Sequence, residues 1–298
     1  MISSEILKNA LIAGAENIQN HTGEVNEINV FPVPDGDTGT NLALTLSGCA
    51  KAIADCSDSG AGELANKAAS ALFRCARGNS GVIFSLIFKG FAQSVNGLDY
   101  IDASALAKAL EAGCDEAYSA IEKPTEGTML TVIRLAASKA KSAAASGKNA
   151  EQTFKSALLG ARASLRSTPN LLPALKKHGV VDAGGQGLIY IMEGMLGTGS
   201  KSKVFDTQPT EFKPQHDKIE FTYCTEFLIN TESPCNINAL RKYFSEIGDC
   251  TAVARHGGII KIHVHTNSPD KAVSKGLETG ELTDIKIDNM KEQYAKRS

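Results

Sequence analysis

Apolar residues, mostly alanine and leucine, recur at helical spacing from residue 3 to about 198. The periodicity predicts helices over 4–20, 40–55, 60–76, 80–94, 103–121, 127–145, 150–167, 170–178 and 185–197. Turn chemistry marks the breaks at Asn96-Gly97, Lys123-Pro124, Ser146-Gly147 and Thr168-Pro169. Loops this short make neighbouring helices antiparallel and predict an all-α bundle or helical barrel. Residues 199–217 are polar, contain two prolines and lack a helical pattern, so they read as a linker. After the linker the pattern changes to alternation. Lys218–Asn230 reads as a strand, Asn236–Ile247 as an amphipathic helix, and Thr251–Arg255 with Ile259–His265 as a hairpin around His256-Gly257-Gly258. Ser268-Pro269-Asp270 opens another helix, and Leu282–Asn289 closes as a strand. The fold class is therefore multidomain α and α+β. An all-α helical barrel or bundle over 1–198 precedes a small β-α-β-β-α-β domain of split ferredoxin-like pattern over 218–298.

Composition narrows the function classes. At 298 residues the chain is long enough for two domains. A net charge of −2 lacks the basic footprint of a nucleic-acid binder, and no nucleic-acid partner is expected. No apolar run approaches the length of a transmembrane segment. Seven scattered cysteines, an odd number with no signal-peptide pattern ahead of them, predict reduced thiols and a cytoplasmic protein.

The run Pro32-Val-Pro-Asp-Gly-Asp-Thr-Gly-Thr-Asn41 carries the densest chemistry. Asp35 and Asp37 stand one residue apart in a glycine-containing loop that feeds a helix. Paired carboxylates suit a hard cation such as Mg²⁺, and a helix start attracts phosphate. Asp-Gly-Asp is also common in plain turns. Two features tip the balance: Pro32-Val33-Pro34 stiffens the approach and excludes helix there, and a second loop of the same kind, Arg77-Gly78-Asn79-Ser80-Gly81, has glycines that allow close backbone approach. Pro124–Leu130 opens a further helix, with Thr125 as a candidate cap and Thr128 and Met129 as pocket or core residues. Asp182-Ala-Gly-Gly-Gln-Gly187 opens another, with Asp182 as cap or ligand-positioning group. A second constellation lies on the strands. His263 and His265 alternate onto one face, and Cys224 on the first strand completes a zinc-type donor set. Glu226 shares the face of Cys224 as a fourth ligand, or the position is left open. The other cysteines read as small core residues, and His21, His178 and His216 as solvent-exposed.

Taken together, these motifs resemble a known family. Asn29-Val-Phe-Pro-Val-Pro-Asp-Gly-Asp-Thr-Gly-Thr-Asn41 resembles the signature of the dihydroxyacetone-kinase L-type family. Ala76–Gly81, Glu126-Gly-Thr128 and Asp182–Gly187 resemble further motifs of its fatty acid kinase branch. Tyr223-Cys-Thr-Glu-Phe227 and His263-Val-His-Thr-Asn267 resemble the middle domain of that branch's A-type catalytic component. The resemblance implies ATP bound with Mg²⁺ at one end of a helical barrel. Asp35 and Asp37 would hold Mg²⁺, with Asn29 at a third ligand position where glycerone kinases carry Asp. Thr38, Asn41, Asn79, Ser80, Gly81, Thr128, Met129 and Asp182 would form the nucleotide site. Cys224, His263 and His265 would bind Zn²⁺, and His265 with Asp35 and Asp37 would serve catalysis. Thr38 replaces the His of the Asp-Gly-Asp-His-Gly motif, which favours the fatty acid branch.

The implied reaction converts a fatty acid carboxylate to acyl phosphate, the fatty acid being presented by a fatty-acid-binding carrier protein of the DegV/FakB type. Catalytic chains of the family carry a C-terminal domain associated with carrier binding, which a sequence ending at Ser298 does not include. A homodimer stays open. A dihydroxyacetone-type small-molecule kinase and a non-catalytic nucleotide-binding regulator are the alternatives.

Overall fold

The computed structural model describes residues 1–56, 60–197 and 219–295. The expected linker over 199–217 lies outside the described residues. The first part holds α1 (Ser4–Asn20), α2 (Thr22–Glu27), α3 (Thr38–Ile53), α4 (Ala61–Cys75) and α5 (Gly78–Ser94). It continues with α6 (Ala103–Ala120), α7 (Met129–Ala145), α8 (Ala150–Leu171), α9 (Pro173–His178) and α10 (Ala183–Met195). Helices α1, α3, α4, α5, α6, α7, α8 and α10 each pack on the next, and α10 returns to α1, so the ring closes. Small residues set how closely the helices meet. A Cβ on Gly90 would lie 2.3 Å from the Ala112 carbonyl oxygen, and one on Gly113 2.4 Å from that of Ile87. Glycine at both positions lets α5 and α6 cross backbone to backbone. Inside the ring, Phe84, Phe88, Phe91, Leu106 and Met192 line an apolar cavity of about 430 Å³.

Three local features depart from the expected pattern. Helix α2 was not foreseen, because Thr22–Glu27 buries only Val25 and has no apolar stripe. The break expected at Thr168-Pro169 is absent, and α8 runs on to Leu171. Pro169 has no N–H for the Leu165 carbonyl, but the Thr168 hydroxyl donates to that carbonyl at 2.7 Å and replaces the lost bond. Helix α7 starts after Thr128, whose hydroxyl accepts from the Leu130 N–H, so Thr128 and not Thr125 is its cap.

The second part runs β1 (Tyr223–Asn230), α11 (Ile237–Ile247), β2 (Gly248–His256), β3 (Ile259–Thr266), α12 (Pro269–Thr279), β4 (Glu281–Asn289) and α13 (Met290–Ala295). The strands form one antiparallel sheet in the order β2-β3-β1-β4. One face carries Phe227, Ile229, Val253, Ile260 and Ile262 against Phe244 of α11 and Ala272 of α12. The other face turns to the helical ring, where Leu228, Ala252, Ala254 and Ile259 join the ring's own core. Strand β3 is consequently buried at every position from Ile259 to Thr266.

Polar links reinforce this seam. The buried Lys261 ammonium donates to the Ala76 carbonyl at 2.5 Å. His256 Nε2 lies 2.8 Å from the Ser70 hydroxyl, Ile121 bridges Ala252 through the backbone, and Ser245 bonds Glu122.

Candidate functional site

The acidic loop is shaped by two asparagines. The Asn29 side-chain oxygen accepts from the Asp37 and Thr38 N–H groups, both at 3.1 Å, and its amide donates to the Val33 carbonyl at 3.1 Å. The Asn26 oxygen accepts from Gly39 at 2.7 Å and Thr40 at 3.2 Å. Two expectations change as a result. The first amides of α3 are engaged by protein and are not free for phosphate, as the bare pattern of a loop entering a helix had suggested. Asn29 has both lone pairs of its oxygen occupied, so in this geometry it shapes the loop and has none left for a cation. Asp37 is the N-cap residue of α3 but makes no capping bond with its side chain. Burial raises its pKa, opposed by the Asn41 hydrogen bond and the Lys286 charge and reinforced by the negative charge of Glu226. A buried carboxylate raised in this way is stabilised by any cation placed beside it.

Helix α5 begins differently. Its N-cap residue, Arg77, makes no side-chain cap, so its first-turn amides lack the capping that Asn26 and Asn29 give α3. Gly78 reaches this start with φ +58°, a left-handed conformation suited to glycine, and a Cβ there would lie 2.2 Å from Asn41 Nδ2. Asn79 and Ser80 then line a cavity of about 300 Å³ together with Thr38, Thr128, Met129 and Asp182. Three helix starts, those of α5, α7 and α10, thus face one space. Asp182 caps α10 by accepting from the Gly185 N–H at 2.7 Å, and burial pushes its carboxyl up to about 7 against its amide bonds. Asn41 and Gly81 were expected in this set but do not line the cavity. Asn41 packs under Gly78, and Gly81 lies where a Cβ would meet the Thr45 hydroxyl at 2.4 Å. Both are packing residues between α3 and α5.

The sheet closes the far side of the cavity. Strand β2 carries a bulge between Asp249 and Ala252, with Cys250 at φ +49°. The bulge turns Asp249, Cys250 and Thr251 into the cavity wall, and Cys250 bonds Asn79. Cys250 is therefore a wall residue and not the core filler expected.

The register lays ionisable residues across the inward face of the sheet in two rows. Asp288, Cys224, His265 and Asp249 are cross-strand neighbours, and next to them stand Lys286, Glu226 and His263. Ligating atoms of Cys224, His263 and His265 all lie within 4.8 Å of one another. His263 Nδ1 is 2.7 Å from Glu226 Oε1 and 3.8 Å from Cys224 Sγ. His263 Nε2, His265 Nδ1 and Glu226 Oε2 are buried without a hydrogen-bond partner. Burial raises the Cys224 thiol, helped by the charges of Glu226, Asp37 and Asp35. Burial lowers His265 to about 3, helped by His263. A buried thiol, two histidines and orphaned nitrogens are the surroundings a thiophilic cation would satisfy.

Val30–Pro34, which lead into the acidic loop, line one cavity with His265, and the charges of Asp35 and Asp37 help raise the Cys224 thiol, so the acidic loop and this face are neighbours. The sequence placed them in separate domains. Sequence reasoning also missed Asn26, Lys261, Cys250 and Lys286. Only the alternation of β1, β3 and β4 could have pointed to Lys261 and Lys286. His21, expected to be exposed and free, stacks on Tyr190 at 4.0 Å and bonds the Asn17 carbonyl at 2.8 Å.

A closed helical ring with glycine-rich helix starts, backed by a docked sheet, defines the class. The chain belongs to the DAK2 domain family, which matches residues 32–197. Residues 220–297 match the FakA-like middle domain of fatty acid kinase, so both parts are domains of a kinase family. Similar chains include uncharacterized proteins of Staphylococcus aureus strains RF122 and USA300, 36% identical over 309 residues. Those alignments cover 98% of this chain and 56% of each relative, so the chain spans about half the length of the curated relatives it matches. Among solved structures, the dihydroxyacetone kinase of C. freundii in complex with AMP-PNP and Mg²⁺ shares the fold, with a TM-score of 0.50 and 19% identity. The match covers 65% of this chain and 34% of that one. Among the described residues no helix is long and apolar enough to cross a membrane.

Proposed function

We propose that this chain forms the catalytic part of a cytoplasmic, ATP-dependent kinase that phosphorylates a fatty acid carboxylate delivered by a carrier protein. The observation that supports the reading is the neighbourhood of three features: the acidic loop, whose charges help raise the Cys224 thiol, the Cys224–His263–His265 face, and the uncapped start of α5 on a cavity that Thr38 also lines.

The nucleotide lies in the cavity of about 300 Å³, its phosphates toward the amides of Gly78, Asn79 and Ser80. Thr38 offers a hydroxyl, Thr128 lines the cavity with its hydroxyl engaged in capping α7 and donating to the Thr125 carbonyl, and Met129 offers an apolar surface. Asp35 and Asp37 would hold Mg²⁺, which would supply charge neutralisation at the phosphates. Cys224, His263 and His265 would hold Zn²⁺, either as a structural ion or as one that positions the acceptor carboxylate. Glu226 fixes the His263 ring through its 2.7 Å bond.

Phosphoryl transfer needs alignment and charge neutralisation more than covalent help. A carboxylate acceptor is ionised at neutral pH, since ordinary carboxyl groups titrate near ~4, and it needs no general base. Its oxygen bonds the γ-phosphorus while the bond to the β–γ bridging oxygen breaks, and that electron pair leaves on ADP.

The test is ATP turnover with Mg²⁺ and a fatty acid, with and without a fatty-acid-binding carrier from the same cell. Acyl phosphate, trapped by hydroxylamine, is expected only with the carrier present. Turnover of dihydroxyacetone without any carrier would overturn the carboxylate assignment. Mg·ATP binding with no turnover on either acceptor would favour a regulatory nucleotide-binding protein.

A further inference from the structure

Strand β2 brings a second set of metal-ligating groups to the sheet, apart from Cys224 and His263. Asp249 and Cys250 lie at the bulge of β2, and Asp249 pairs directly with His265 of β3. One ligating atom from each of Asp249, Cys250 and His265 falls within 4.8 Å of the others. His265 Nδ1 stands 3.6 Å from Asp249 Oδ1 and is buried without a hydrogen-bond partner. The Cys250 thiol donates to the Asp249 carboxylate and accepts from Asn79. Cys250 holds this place at φ +49°, a left-handed conformation that a β-carbon disfavours. The group can be reached from two sides. Cys250 lines the cavity that Asn79 also lines, His265 lines the cavity of about 280 Å³ that it shares with Val30–Pro34, and Asp249 lines both.

Thiolate, imidazole and carboxylate together suit a thiophilic divalent ion such as Zn²⁺ or Cd²⁺, and suit poorly Mg²⁺, which takes oxygen ligands. The carboxylate and thiolate balance the double charge, and the imidazole nitrogen gains the partner it lacks. We propose that Asp249, Cys250 and His265 form a second site for a thiophilic divalent ion, distinct from the Cys224–His263–His265 set. The two sets share His265, whose ring carries two nitrogens. Nδ1 is the atom beside Asp249, which leaves Nε2 to the other set. Binding forms a sulfur–metal bond and releases the Cys250 thiol proton to water. The fourth position of a tetrahedral ion stays open to water or to an oxyanion entering from a cavity. The Asp249 side chain is 52% exposed, so this ion exchanges readily and is lost on purification, unlike one held between Cys224 and the buried His263. The site does not depend on the kinase reading.

The test uses the full chain with added ions. In a Cys224→Ser variant the first set has no thiol, so a sulfur-to-cobalt charge-transfer band that grows on adding Co²⁺ reports Cys250. The band is expected to appear and saturate, and to vanish when Cys250→Ser is added. In the unaltered chain, Cd²⁺ should slow alkylation of Cys250, read by mass spectrometry, at least ten-fold. Mg²⁺ at the same concentration should not, and Asp249→Asn should remove the protection. Absence of the band in a Cys224→Ser variant with intact helical circular dichroism overturns the proposal, as does a band that survives in the double variant. Alkylation that Cd²⁺ leaves unchanged overturns it as well, and that measurement needs no variant to fold.

Discussion

At the scale of single residues, the carboxylates divide into those a cation would relieve and one that burial alone governs. Asp35→Ala and Asp37→Ala are each expected to lower phosphoryl transfer by at least about 10²-fold, with helical circular dichroism unchanged. Retained turnover in both would remove them from the metal site. On the proposed Cys224–His263–His265 ligand set, the purified chain should contain zinc and Cys224→Ser should lose it; an unchanged metal content in the variant would refute that set. Asp182 behaves differently. Its carboxyl sits at about 7 because burial outweighs the amides of Gly185 and Met129. An unfolded Asp titrates near ~4, so the folded state binds the extra proton between these values. Stability contributed here is therefore present below about pH 4 and is lost as pH rises toward about 7, by on the order of 4 kcal/mol. Asp182→Asn keeps a capping side chain for α10 and should flatten the slope of urea stability across that window. An unchanged slope would mean that the group is solvated. The types of these residues were plain in the sequence, but their electrostatic state was not, because it depends on neighbours far along the chain. Asn29 illustrates the difference. It stands at a ligand position by motif, yet its amide oxygen is consumed by two backbone groups of the loop.

At the scale of elements, most helices were legible because alanine and leucine keep their period through each of them. The exceptions have local causes. Helix α2 is too short to show a period, and it serves mainly to set Asn26 against the start of α3. At Pro169 a hydroxyl one residue back substitutes for the missing donor, which no proline rule anticipates. The glycine-containing starts of α3 and α5 looked alike in sequence, and of the two only that of α5 lacks capping side chains. Asn26→Ala should strip Gly39 and Thr40 of their acceptor and destabilise the chain by about 1–2 kcal/mol in thermal or urea unfolding. Nucleotide affinity should fall little, because α5 and not α3 presents its amides. A variant that unfolds normally but loses nucleotide would reverse the roles assigned to the two helices.

At the scale of the whole molecule, the two parts are joined by a sheet buried on both faces. Strand β3 nevertheless alternates, Ile260, Ile262 and Val264 facing the sheet's own helices and Lys261, His263 and His265 facing the ring, so its buried polar residues all lie on one side. The order of strands was legible, whereas their docking was not, since a contact between Lys261 and Ala76 leaves no local signature. Ala76 directly precedes the turn that starts α5, so the ammonium braces the first amides of that helix from behind. Lys261→Met should speed hydrogen exchange at residues 77–80 several-fold while exchange in α7 and α8 stays as it was. Uniform acceleration would indicate global loosening and not loss of a brace. The sheet order also bears on synthesis. Among the described residues, strand β4, which sets Lys286 beside Glu226, pairs with β1 alone and follows the other three strands in the chain. A nascent chain therefore displays its acidic loop and helix starts well before Lys286 can stand beside Glu226, and the inward face is complete only with this fourth strand in place.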